Sequence, residues 1–323
     1  MFGITWHGSI ELTSNGHLAT VIRHDNSQTT VNLLSFAAAA MAALAVVVPS
    51  GYSIGAVLLL SVSSAVLVRS GLPEMGYLAW ATVIAMLAYS IYWIASAALH
   101  GADAAAFDQS SRSLLAVPVL IATAKYGLRW SIIWPGIACG GLATGFVGVY
   151  EAYFEMKPRA SGFVGPEHFG NLSVFFATMS IVGFAWAIAT HQAFIYRLLL
   201  LTGAVGGIAG SVASGTRASW IALLVIIAIL VILMWQFRPR VVSVAIAVSL
   251  VLGFSLVVTQ SHTSVVHRVQ TSFSDIANIA SDDVRHGSIS TRFDAWRGAA
   301  KLFSERPVFG WGDEGYQREM AKL

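Results

Sequence analysis

Arg159, Arg217 and Arg292 are the residues of this chain best suited to hold an acidic ligand. A guanidinium is charged at every relevant pH, and its planar fork matches phosphate oxygens two at a time. Arg217 stands in Ser214-Gly215-Thr216-Arg217-Ala218-Ser219-Trp220, at the head of a long apolar run. The surrounding hydroxyls make a polar entry turn, and the free N–H groups of a helix start add positive potential, which together suit an anion. An interfacial arginine lifting its guanidinium toward lipid head groups would look the same in sequence, and position alone weighs the two equally. Arg159 lies in the polar segment from Glu151 to Asn171, which holds Pro158 and Pro166 and the glycines Gly162, Gly165 and Gly170. That composition suggests an ordered loop dipping against its neighbours, with Arg159 as a ligand contact or a loop charge. His168 in the same loop reads as a solvated histidine.

Other chemistries find little support. His262 and His267 stand five apart and do not share a helical face, so the polar stretch from Ser261 to Gly287 reads as linker and surface rather than a zinc site. No glycine-rich phosphate loop of either common pattern is present, which argues against ATP-driven transport by this chain. The single cysteine, Cys139, sits in an apolar run and is expected to be a small buried hydrophobe. No cofactor, metal or nucleic-acid partner is expected.

The elements that must carry these arginines are membrane helices. Hydrophobic residues make up 56% of the chain and charged residues 11%, against about 25% charged in soluble domains. At about 20 apolar residues per crossing, about nine spans are expected: 31–48, 51–68, 78–99, 113–124, 131–150, 171–190, 198–212, 218–237 and 241–258. The fourth and seventh are short. Pro49-Ser50-Gly51 predicts a tight helical hairpin between the first two, and the glycines near 140–148 and 203–210 predict close helix contacts.

The fold class is therefore all-α, a polytopic transmembrane bundle. Residues 1–30 form a polar lead-in without the apolar core of a signal peptide, residues 31–259 the bundle, and residues 260–323 the start of a large loop. Arg69, Lys125, Arg129, Arg197, Arg238 and Arg240 fall in alternate connections, which places them and the N-terminus in the cytoplasm. An odd number of spans then puts everything after Val258 on the outer, periplasmic side.

In that last segment, Phe293, Trp296, Ala300 and Phe303 recur at helical spacing, which predicts an amphipathic helix stopped by Pro307. Thr291 and Asp294 form a possible capping box. Arg292 and Arg297 flank the apolar stripe; a surface helix packed through its aromatics, with solvated arginines, is the plainer reading.

The motifs taken in order resemble those of the O-antigen ligase and polymerase superfamily. They are Arg159-Ala160-x-Gly162 with Pro166 and Gly170-Asn171, the Ser-Gly-Thr-Arg turn at Arg217, Arg292 with Trp296, and Arg306-Pro307 with Gly310, Gly312 and Gly315-Tyr316. The resemblance spans about residues 30–323. It implies a bundle of about a dozen helices with a large periplasmic loop late in the chain. The implied reaction is metal-independent transfer of a glycan from undecaprenyl diphosphate to lipid A–core or a growing polysaccharide. It places Arg217 and Arg292 at the lipid diphosphate, with Arg159 a weaker candidate for the same pocket. It also implies a later loop histidine as general base, followed by final spans. Neither stands before Leu323, so the catalytic base is unknown and the chain reads as a C-terminally truncated member, a fragment or an inactive relative.

The expected protein is thus a multi-pass inner-membrane glycosyltransferase whose partners are a lipid-linked glycan, its acceptor and membrane lipids. Polysaccharide polymerase is the neighbouring alternative. A small-anion transporter is the alternative from another class, but it should carry charges or broken helices near the midplane, whereas here the arginines gather at helix ends.

Overall fold

The computed structural model describes residues 16–71, 73–101, 104–216, 218, 219, 222, 225, 226, 288–307 and 310–322. Apart from residues 218, 219, 222, 225 and 226, the eighth expected span lies outside the described residues, as do the ninth and the linker after it. All regular structure among the described residues is helical: α1 (Gly16–Leu44), α2 (Gly51–Ser70), α3 (Tyr77–Leu99), α4 (Ala104–Tyr126), α5 (Trp130–Tyr153), α6 (Pro166–Ala189), α7 (Phe194–Ser214), α8 (Ser288–Glu305) and α9 (Asp313–Met320). Five of these, α2, α3, α5, α6 and α7, are long and apolar enough to cross a membrane. In hydrocarbon every backbone N–H and C=O must be satisfied within its own segment, which is why such runs settle as helices.

Several expectations need adjustment. The helix α1 begins at Gly16 rather than Val31, so part of the polar lead-in is helical, and its apolar part, Gln28–Leu44, is shorter than the five long spans. The seventh segment is a full-length helix, Phe194–Ser214, rather than a short one. Cys139, expected to be buried, lies exposed on α5; the packed face of that helix is its glycine and alanine face, Gly136, Ala138, Gly140, Gly141 and Gly145.

At the bundle's centre α5 and α7 are nearly in backbone contact. A Cβ placed on Gly145 would stand 2.6 Å from Gly206 Cα, and one on Gly206 the same distance from the Gly141 carbonyl oxygen. α6 closes the third side: a Cβ on Gly207 would stand 2.6 Å from the Ser173 carbonyl oxygen. Small residues are what allow this approach where solvent supplies no hydrophobic drive between helices. The hairpin between α1 and α2 forms as expected, with Ser50 at φ 56° and Gly51 N donating to Val48 O at 2.9 Å.

Pro135 lies inside α5 and cannot donate to the Ser131 carbonyl one turn earlier. The Tyr196 hydroxyl on α7 fills that vacancy, donating to Ser131 O at 3.0 Å. Around it Trp130, Trp134, Trp186 and Tyr196 form a chain of ring contacts with centroids 5.2, 6.4 and 6.3 Å apart. This aromatic group ties α5, α6 and α7 at one end of the bundle, near Lys125, Arg129 and Arg197. The candidate site lies at the opposite end.

Candidate functional site at one end of the bundle

The last turn of α7 leaves carbonyl groups without intrahelical partners, as every helix end does. Gly215 follows in the left-handed conformation, φ 63°, and its N–H returns to Val212 O at 3.0 Å. The remaining carbonyls are met by the loop between α5 and α6. Ala160 N donates to Ala213 O at 2.9 Å, and Arg159 Nε donates to Ser214 O at 3.0 Å. The Arg159 guanidinium thus caps the negative end of the α7 dipole. Its Nη2 also reaches Thr216 Oγ1 at 3.3 Å, and the other N–H groups of the fork are not used by those two bonds.

The turn Ser214-Gly215-Thr216 is held from the other side by the start of α6. Thr216 Oγ1 donates to Pro166 O at 3.0 Å, and Ser219 Oγ donates to Asn171 Oδ1 at 2.8 Å. Ser214 Oγ donates to Ser211 O at 2.7 Å and accepts from Thr216 N at 3.2 Å. Gly170 makes the contact possible, since a Cβ there would meet Ser214 Oγ at 2.5 Å and Thr216 Oγ1 at 2.9 Å. Ser214, Thr216 and Ser219 are buried, while Asn171 and His168 are exposed.

The loop itself is gathered by Glu151, in the last turn of α5. Its carboxylate accepts from Ser161 N at 2.6 Å, Gly162 N at 3.0 Å and Lys157 Nζ at 2.8 Å. Lys157 also pairs with Glu155 at 2.8 Å, and these two carboxylates hold its ammonium above the usual lysine range. The sequence shows Glu151 only as an acidic residue at a span's end; its part in the loop depends on contacts six to eleven residues away.

Of the predicted ligand residues, Arg159 is brought against the residue preceding Arg217. Arg217 itself lies outside the described residues. Arg292 is placed on α8, and its side chain is outside the described ones.

α8 carries the expected helix and departs from it in two ways. Thr291 lies inside the helix rather than at its start, so Thr291 and Asp294 do not form its cap. The buried line runs through Gly298 and Leu302, the latter 4% exposed, whereas Trp296 and Phe303 of the expected packing stripe are 65% and 66% exposed.

Beyond α8, Arg306 lies over the Trp311 ring at 4.0 Å, and the indole N–H donates to Leu302 O at 3.1 Å. Gly310 and Gly312 take φ 62° and 69°, which folds this segment back on itself. A Cβ on Gly312 would meet the His100 ring at 2.9 Å, so the turn rests on the residue following α3. Among the described residues, no three His, Cys, Asp or Glu side chains come together as a metal site would require.

Residues 202–322 match the family model described as O-antigen ligase. A Haemophilus influenzae protein described as uncharacterized is 25% identical over 239 residues, 72% of this chain and 58% of its own length. The chain therefore spans little more than half of that relative. The matched segment contains the Ser-Gly-Thr-Arg turn and the helix of Arg292. With five helices long and apolar enough to cross a membrane, the chain reads as an integral membrane protein, and its residues 202–322 are similar to the O-antigen ligase family.

Proposed function

We propose that the protein transfers a glycan from undecaprenyl diphosphate to an acceptor, lipid A–core or a growing polysaccharide, at the periplasmic face of the inner membrane. The family match supports glycan transfer of ligase or polymerase type. The observation that carries the site is the junction of the Arg159 loop with the turn that leads into Arg217. Arg217 and Arg292 bind the lipid diphosphate through their guanidinium forks, and Arg159 adds charge from the same end of the bundle.

The chemistry follows from where charge develops. As the acceptor hydroxyl attacks the anomeric carbon, the glycosyl–oxygen bond to the diphosphate breaks and its electron pair passes to the departing phosphate oxygen. Fixed cations aimed at that oxygen stabilise the transition state more than the ground state. The proton of the acceptor hydroxyl goes to a base not assigned among these residues. On this reading about nine spans cross the membrane, with the N-terminus cytoplasmic and the segment after Val258 periplasmic; the C-terminal ends of α5 and α7 then face the periplasm together.

The test is complementation of a strain blocked in its surface-glycan assembly step by the full-length gene carrying Arg217→Ala or Arg292→Ala. Loss of the mature glycan profile on a gel, with stably inserted protein, is the expected result. An unaltered profile for both variants would defeat the assignment.

A further inference from the structure

We propose that Glu151 is a positioning residue for the diphosphate site, acting through the loop that carries Arg159; the inference rests on the function proposed above. A carboxylate taken out of water is costly unless its lone pairs are filled. Glu151 is 6% exposed and has three donors within 3.0 Å. Their places in the chain matter more than their number. Lys157 lies two residues before Arg159, and Ser161 and Gly162 lie two and three residues after it. One carboxylate therefore grips the loop on both sides of Arg159. The Lys157 backbone N–H adds a further tie, donating to Glu151 O at 3.0 Å.

The grip continues to the site. With the loop closed on Glu151, Ala160 reaches Ala213, and the Arg159 fork meets Ser214 O and Thr216 Oγ1. Thr216 is bonded through its backbone to Arg217. A relay of fixed contacts thus joins the end of α5 to Thr216, the residue before Arg217. Moving a cationic fork by an ångström forfeits bidentate contact, so the effect of losing Glu151 falls on substrate recognition as well as on folding.

The experiment is steady-state transfer by the full-length protein in nanodiscs, with purified undecaprenyl-diphosphate glycan as donor, for Glu151→Ala, Glu151→Gln, Arg159→Ala and Arg217→Ala. Glutamine keeps an acceptor oxygen for one N–H and loses the charge, so it keeps the test alive where alanine prevents insertion. The expected result is a donor KM raised at least tenfold in Glu151→Ala and less in Glu151→Gln, with kcat per folded molecule lowered less than threefold. A residue that only staples the fold lowers the active fraction and leaves KM alone. Unchanged KM in both Glu151 variants, alongside an impaired Arg217→Ala, overturns the role of Glu151 and leaves the diphosphate site standing. Unchanged kinetics in Arg217→Ala and Arg159→Ala overturns both.

Discussion

Arg159 caps α7 through Ser214: its Nε donates to the Ser214 carbonyl at 3.0 Å, and its Nη2 turns to Thr216 Oγ1 at 3.3 Å. A loop arginine thereby joins the end of one apolar helix to the turn that carries Arg217. The joint needs a fork rather than a charge, because the two acceptors belong to residues on either side of Gly215.

Arg159→Lys is accordingly expected to fail as a conservative change. The ammonium keeps the charge but meets one acceptor where the guanidinium meets two. A hydrogen bond to a charged group contributes about 1.5–3 kcal/mol, so losing one lowers donor transfer by about tenfold or more, and Arg159→Ala lowers it further. Transfer rates of the two variants in nanodiscs check this. Full activity in Arg159→Lys would mean that charge alone matters at this position.

The seam between α5 and α7 gives a second prediction. Gly145→Leu places a side chain where Gly206 Cα stands 2.6 Å from the first added carbon. Neither backbone can yield without separating the helices, so overpacking costs about 1–3 kcal/mol or more. The neighbouring Phe146 is 73% exposed, and Phe146→Leu changes only an outward face. Thermal unfolding in detergent, followed by loss of monodisperse protein, should show a lowered midpoint for Gly145→Leu and an unaltered one for Phe146→Leu.

The helices were legible in the sequence because hydrocarbon-length apolar runs leave the backbone few other choices. The second run, 51–68, became Gly51–Ser70, and the third, 78–99, became Tyr77–Leu99. Where a run was read too short, as at α7, the helix had continued through Tyr196 and Arg197, since backbone hydrogen bonding does not stop where hydropathy does. Periodicity found α8 but chose the wrong buried face. It identifies apolar residues without saying which meet protein, and Leu302 rather than Trp296 is the residue enclosed. Arg159 was legible as a candidate by its charge and its place in a motif. Its position beside the Arg217 turn was not, because a loop's path is decided by tertiary partners such as Glu151 and Ala213.

Asn171 separates the electrostatic part of the site from its scaffolding. Its Oδ1 accepts from Ser219 Oγ at 2.8 Å, and Ser219 stands two residues after Arg217. Asn171→Asp keeps an acceptor for that hydroxyl, so the local hydrogen bond survives, but it adds a negative charge at the exposed start of α6. A carboxylate near the proposed phosphate site repels the donor and competes for the proposed arginines, by roughly 1 kcal/mol for partly hydrated charges several ångströms apart. Donor KM should rise about fivefold in Asn171→Asp, and the rise should shrink as salt screens the added charge. Asn171→Ala removes the hydrogen bond and adds no charge, so any defect it shows should respond far less to ionic strength. Measuring donor KM for both variants across ionic strengths decides the point. A salt-independent defect of equal size in the two would show that Asn171 serves only to hold Ser219, and that the start of α6 lies away from the diphosphate.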